Sequence, residues 1–289
     1  MLYALSRRLI SLWQEVRHHR REHRFVFRDW RSIGDLQRSA AVLDTLRFND
    51  LIRPSLVDPT QGGAVTVLAP HPDDEALGAG GTLLALHDHG ISVRIVFLTD
   101  GEAEPGATRR RQEAAASAAR LGAEAIFLGF PADAIPVDPA ARQKLTSVIG
   151  PAERLFLPFL LDDNDDHRRV SELLWRCHED GLLPPALQIW GYQVYTPIPA
   201  NVLVDISAFA ERKAALIHLH ESQMQTRDWA HFSLGLNAFN IRLVRGPQKR
   251  TIRYVESWTV LPVAAYADLC RSYFEPNAAI CYRNDAYHI

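Results

Sequence analysis

The chain is predicted to be an α/β protein with an open, mostly parallel sheet, helices on both faces, and a site at the carboxyl ends of the strands. Three observations predict this. Short apolar, β-branched runs alternate with stretches of helical length. The runs lack the polar-apolar alternation of a half-exposed strand, so they read as strands buried on both faces. The residues richest in chemistry directly follow two of those runs.

The elements follow in order. Val65–Ala69 is the first strand, followed by a Gly-rich helical stretch at about Ala76–His89. Ser92–Leu98 is a second strand, and Thr108–Leu121 a helix with alanine at most inward positions. Ala125–Leu128 is a third strand, Pro139–Ile149 a helix, Arg154–Pro158 a fourth strand and His167–His178 another helix. Connections of this length between parallel strands are right-handed βαβ crossovers. Beyond them lie the runs Gln188–Tyr195 and Val202–Asp205, a helix at Ala208–Glu221, and β-like runs near Asn240–Val244 and Arg253–Val260.

With 289 residues, 47% hydrophobic and 23% charged, the chain can bury a full core, which excludes disorder, collagen and coiled coil as the main architecture. A net charge of -2 argues against nucleic acid as the main partner. Cys177, Cys270 and Cys281 show no CxxC spacing, so neither a disulfide framework nor a cysteine zinc site is expected. They read as idle thiols in a reducing compartment, and the expected location is cytoplasmic. No apolar run reaches the roughly 20 residues of a membrane helix, and Arg7, Arg8 and Glu15 interrupt any signal-peptide pattern.

Residues 1–34 differ from the rest. Leu2, Leu5, Leu9, Leu12 and Val16 share one helical face, amid Arg7, Arg8, Arg17, Arg20, Arg21, Arg24, Arg28 and Arg31. This basic amphipathic segment is suited either to peripheral contact with an anionic membrane or partner, or to packing on the main domain with a solvated basic face. Asn49–Gly63, with Pro54, Pro59, Gly62 and Gly63, reads as a linker. The organisation expected is an arm and linker at 1–63 and a catalytic domain at 64–289.

Directly after the first strand comes Pro70-His71-Pro72-Asp73-Asp74-Glu75, then Gly78, Gly80 and Gly81. Imidazole and carboxylate suit zinc and similar divalent metals. With two adjacent aspartates, one can bind the metal while the other stays free as a base toward a metal-bound water, whose pKa falls to about 7. The acids also suit the N-terminus of the next helix, which favours negative charge. The glycines allow close helix–sheet packing, and their spacing matches neither GxGxxG nor GxxxxGK[ST], so no nucleotide site is expected.

After the fourth strand comes Phe159-Leu160-Leu161-Asp162-Asp163-Asn164-Asp165-Asp166-His167. His167 supplies a third ligand for an open site of three protein groups plus water. Capping of the following helix by Asp165 or Asp166 is the competing use of these acids. Two strand-end clusters with complementary ligand types strengthen the metal reading.

Over about Ala64–Thr259 the chain resembles the PIG-L/LmbE-like family of zinc-dependent N-deacetylases, which act on N-acetylglucosaminyl groups. The resemblance rests on Ala69-Pro70-His71-Pro72-Asp73-Asp74-Glu75 with Gly78, Gly80 and Gly81. Leu98-Thr99-Asp100-Gly101-Glu102, Arg110-Arg111-Gln112-Glu113, Leu128-Gly129-Phe130-Pro131 with Asp133, Asp166-His167, and Lys213 with His220-Glu221-Ser222-Gln223 also match. It implies a Rossmann-like open sheet. It also implies Zn2+ or another divalent metal on His71, Asp74 and His167, Asp73 as general base, and sugar contacts from Arg110 and Asp133. Asp166 and His220 are implied to support the site from behind the ligands.

One position departs from the family. Its second segment commonly reads His-x-Asp-His, where the first His steadies the oxyanion and donates a proton; here that position is Asn164. Asparagine can donate a hydrogen bond to an oxyanion but cannot exchange a proton at physiological pH. The reaction the resemblance implies is removal of the N-acetyl group from an N-acetylglucosamine-type sugar, with Asp73 taking the proton of the attacking water and returning it to the amine. Two alternatives are a zinc-holding, sugar-binding domain with little turnover, and a metal hydrolase of acetyl esters. Trp190, Tyr192, Trp229 and Trp258 are candidates for sugar stacking or for core packing.

Overall fold

The computed structural model describes residues 33–48, 54–101, 106–225 and 227–275. The basic segment read at 1–34 lies outside the described residues except for its last two positions. The elements are α1 (Ile33–Phe48), β1 (Ser55–Leu56), β2 (Val65–Ala69), α2 (Asp74–Asp88), β3 (Val93–Thr99), α3 (Gly106–Arg120) and β4 (Glu124–Phe130). They continue with α4 (Pro139–Ile149), β5 (Arg154–Pro158), α5 (Asp165–Glu179), β6 (Gln188–Tyr192), β7 (Val202–Asp205), α6 (Ala210–Ile217), α7 (Trp229–Phe239), β8 (Val255–Pro262) and α8 (Val263–Phe274).

The strands form one sheet in the order β1-β7-β8-β6-β5-β2-β3-β4. Neighbours are parallel except where β8 runs antiparallel between β6 and β7. From β2 the chain builds outward through β3 and β4, then crosses back to β5 on the other side of β2. The carboxyl ends of β2 and β5 are therefore adjacent where the sheet reverses its direction of growth, the crevice in which open α/β sheets bind ligands.

Side chains alternate across each strand, which splits the core in two. Leu68, Val96 and Leu98 face a cluster shared with Val42 and Leu46 of α1, Leu145 of α4, Leu173 of α5 and Tyr266 of α8. Val65, Val67, Ile95 and Phe97 face the other cluster, with Leu83 of α2, Ala114 of α3, Leu216 of α6 and Ala230 of α7. β1 lies within the stretch read as a linker and pairs with β7 at the sheet edge.

Three expectations of local structure are corrected. Asn240–Leu243 is a 3₁₀ turn continuing from α7 rather than a β-like run. Its alternation of apolar and charged residues mimics a strand over too short a span to decide. The helix expected at Ala208–Glu221 ends at Ile217, so His220 lies in the turns beyond it. Helices α1, α7 and α8 are not among the elements the sequence predicts. Trp229–Phe239 is apolar nearly all round, which leaves no 3.6-residue stripe.

Helix α2 presses hard against the sheet. A Cβ on Gly78 would stand 2.2 Å from Tyr192 Cδ2, and one on Gly81 would stand 2.6 Å from Ile206 Cγ2. The Tyr192 ring cannot swing aside easily, because its hydroxyl donates to the Leu68 carbonyl at 3.0 Å. Gly78→Ala should destabilise the protein by about 1–3 kcal/mol, the usual cost of overpacking; urea unfolding measures it, and a wild-type midpoint would refute the contact. The middle of α2 also meets a buried carboxylate. The N–H groups of Gly81 and Thr82 donate to Glu256, which Lys213 neutralises at 2.7 Å.

Candidate metal centre

The turn leaving β2 is held by its carbonyls. Thr99 donates to the Pro70 carbonyl through its N–H and its hydroxyl, and Arg110 Nη2 donates to the Pro72 carbonyl at 2.8 Å. Helix α2 then starts at Asp74, whose Oδ2 accepts the His71 N–H at 2.9 Å. On the other strand, Asn164 caps α5 by accepting the Asp166 N–H at 2.8 Å. This cap places His167 in the first turn of α5, facing α2.

The two segments converge. One ligand atom each from His71, Asp74 and His167 lie within 4.8 Å of one another. Asp74 stands between the imidazoles, 3.2 Å from His71 Nδ1 through Oδ2 and 3.2 Å from His167 Nε2 through Oδ1. Ligands about 2.1 Å from a tetrahedral zinc ion stand roughly 3.4 Å apart, so this spacing suits such an ion. Asp74 Oδ1 and His167 Nε2 are buried and, despite their proximity, make no hydrogen bond of acceptable geometry. Facing polar atoms left unbonded in a buried site are what a shared cation would satisfy. The donor set and its geometry therefore fit a metal.

Each imidazole is also held from behind. His71 Nε2 stands 3.1 Å from Asp166 Oδ2, which accepts the Asp133 N–H at 2.7 Å. His167 Nδ1 stands 2.9 Å from Asp162 Oδ1, an off-axis pairing between two fully buried side chains. Asp162 in turn accepts the N–H groups of Asn164 and Tyr195, and the Tyr195 ring stacks on His167 at 5.6 Å. Carboxylates behind metal-binding histidines set the tautomer and raise ligand basicity. Asp162 is a residue of the site that the sequence reading did not single out; its only signal was membership of an acidic run. Asp162→Asn should weaken metal affinity roughly 10–100-fold, measurable by competition with a chromogenic chelator. Wild-type affinity would show that His167 needs no such support.

The charges are tightly balanced. Burial alone would raise the Asp74 pKa, but His167 and His71 outweigh it and hold the carboxyl well below its usual range. Burial alone would lower His71, but its bonds to Asp166 and Asp74 hold it up at about 9. Asp73 behaves oppositely to its neighbour. Burial, then the charge of Asp74, push it up to about 6.

The structure brings the other expected residues to the same crevice. Asp73 lies outside the ligand set, with Oδ2 3.5 Å from Arg110 Nη2. Arg110 is buried, and its Nε has no partner among the described residues. Asp133 has an exposed side chain and a left-handed backbone, φ +60°. The Asn164 Oδ1 is committed to its cap, which leaves the amide NH2 as its donor. His220 contacts Glu75 at 3.2 Å. Of the aromatic candidates, Trp190, Tyr192 and Trp258 are buried in the core, while Trp229 is half-buried and meets Tyr195 at 5.7 Å.

The family model described as GlcNAc-PI de-N-acetylase, PIG-L, matches residues 66–178, which hold both strand-end segments. The diacetylchitobiose deacetylase of Thermococcus kodakarensis is 33% identical over 194 residues, covering 57% of this chain and 72% of the relative. This chain belongs to the PIG-L family of deacetylases. This deacetylase is also similar to the solved N,N'-diacetylchitobiose deacetylase of Pyrococcus horikoshii, at a TM-score of 0.59 and 26% identity, over 78% of this chain and 93% of that one. The conserved protein TT1542 of Thermus thermophilus matches with a TM-score of 0.60 and 27% identity, over 70% of this chain and 96% of that one. PIG-L deacetylases depend on a metal, and this member carries the His-Asp-His set for one. No helix among the described residues is long and apolar enough to cross a membrane.

Proposed function

We propose that this deacetylase hydrolyses the acetamide of an N-acetylglucosamine-type sugar, with zinc on His71, Asp74 and His167 and Asp73 as general base. The observation that carries the reading is a division of labour between adjacent acids. Asp74 lies between two imidazoles, while Asp73, one residue earlier, is held outside that set against Arg110. Diacetylchitobiose, the N-acetylated sugar in the names of two relatives, supports the substrate class.

When bound, the metal supplies Lewis acidity and an acidified water. Asp73 takes the proton as the water oxygen bonds to the acetyl carbon. A carboxyl raised to about 6 takes up a proton near neutral pH more readily than an ordinary carboxylate, and can still return it to a leaving amine. The C–N bond breaks, the proton goes to the nitrogen, and acetate and a free amino sugar result. The Asn164 amide donates to the developing oxyanion, and Arg110 and Asp133 hold the sugar. Because Asn164 cannot carry a proton, Asp73 serves as both base and acid.

The test is metal analysis coupled to acetate release from a panel of N-acetylated sugars, with and without a lipid carrier. One ion per chain, with equal acetate and amine from N-acetylglucosaminides, is expected. Full metal occupancy without acetate would favour the sugar-binding reading built on Asn164, and release from acetyl esters alone would favour an esterase. Faster turnover on lipid-linked sugars in anionic vesicles, lost on deleting residues 1–34, would support peripheral membrane contact through that basic segment.

A further inference from the structure

Asp73 has a φ of +130° and a ψ of -26°, a backbone conformation that L side chains rarely adopt. Something must hold it there. The Asp73 N–H donates to Glu75 Oε2 at 3.1 Å. Glu75 is fully buried, and its other oxygen accepts the Ser117 hydroxyl of α3 at 2.7 Å and stands 3.2 Å from His220 Nε2, beyond α6. A glutamate reaching back to the N-cap N–H is the ordinary half of a capping box, but there the cap residue is extended and the glutamate exposed. Here the carboxylate is anchored by residues 42 and 145 positions away in the chain, and the residue it grips is strained.

We propose that Glu75, anchored by Ser117 and His220, is a positioning residue that clamps the strained backbone of Asp73 and so aims its carboxylate at the metal centre. The clamp explains why an aspartate rather than a glycine tolerates this turn. It also gives the buried His220 a task at a distance from the ligands. The catalytic half of the inference rests on Asp73 being the general base; the structural half does not.

Two measurements test it. The first needs no activity. Asp73→Gly and Asp73→Ala both lose the carboxylate, but only alanine keeps a Cβ in the strained region. In the metal-free protein Asp73→Gly should melt a few degrees above Asp73→Ala. Adding Glu75→Leu, which fills the space but carries no hydrogen-bonding atom, should at least halve that gap, because the released backbone relaxes. The second is kinetic. With Asp73 present, Glu75→Leu should lower kcat roughly 10–100-fold, as misaimed catalytic groups do, with KM and one bound ion per chain retained. Ser117→Ala and His220→Gln loosen the same clamp from its far side and replace Glu75→Leu in both measurements if it fails to fold. A gap unchanged by these variants would overturn the clamp. A closed gap with wild-type kcat would overturn its role in aiming Asp73. Absence of activity in the wild-type protein would fault the proposed reaction and leave the melting comparison to decide the clamp.

Discussion

Asp73→Asn should lower turnover roughly 10²–10⁴-fold, the usual cost of losing one proton-transfer group, while the metal stays bound. The two side chains have nearly the same shape, so the Arg110 contact and the turn into α2 survive the change. None of the three ligand atoms is touched, because Asp73 stands outside the His71, Asp74 and His167 set. What disappears is a buried carboxyl beside that set whose pKa is pushed up to about 6. Single-turnover acetate release, run beside metal analysis, reads both halves of the expectation. Wild-type turnover in this variant would remove Asp73 from the mechanism. Loss of the metal would mean that Asp73 holds the site together rather than working the reaction.

His167→Ala should abolish both metal binding and activity. His167 is 0% exposed and joins the β5 segment to Asp74 on α2. Its removal leaves two protein ligands, too few for a stable site, and strands Asp74 and Asp162 as buried carboxylates. Breaking a buried pair from one side typically costs about 3–5 kcal/mol, so the variant should melt well below wild type. Ligand linkage sharpens the comparison: a metal at 100 times its Kd adds about 2.7 kcal/mol to the stability of a protein that binds it. Wild type should therefore melt higher with added zinc than in chelator, and His167→Ala should melt at one temperature in both. A zinc-dependent shift that persists in the variant would relocate the metal.

Some of this was legible because it is local. Val65–Ala69, Pro139–Ile149, Arg154–Pro158 and Val202–Asp205 are observed with the bounds their residues predicted. Hydrophobic period and turn chemistry are written within a few neighbouring residues. The class of sheet followed from the order of the elements, because alternating strands and helices imply right-handed parallel crossovers, while the strand order, with β5 beside β2 and β8 antiparallel, is known only from the folded chain. The site was legible as two strand-end clusters with complementary ligand types, and they meet because β2 and β5 are neighbours in the sheet.

What the sequence determined by itself, then, was the class of fold, the two segments that meet, and the three ligand types they bring. Only the tertiary structure decided who stands behind them. Asp162 behind His167, Ser117 behind Glu75 and Glu256 on the amides of α2 are choices among many buried and acidic residues with no local mark to tell them apart, and Asp166 and His220, expected behind the ligands, were given their partners His71 and Glu75 only by the fold. Their partners lie up to 175 positions away in the chain. A hydrogen bond across that separation depends on how helices pack against the sheet to within a fraction of an ångström, and no pattern of neighbours along the chain encodes it.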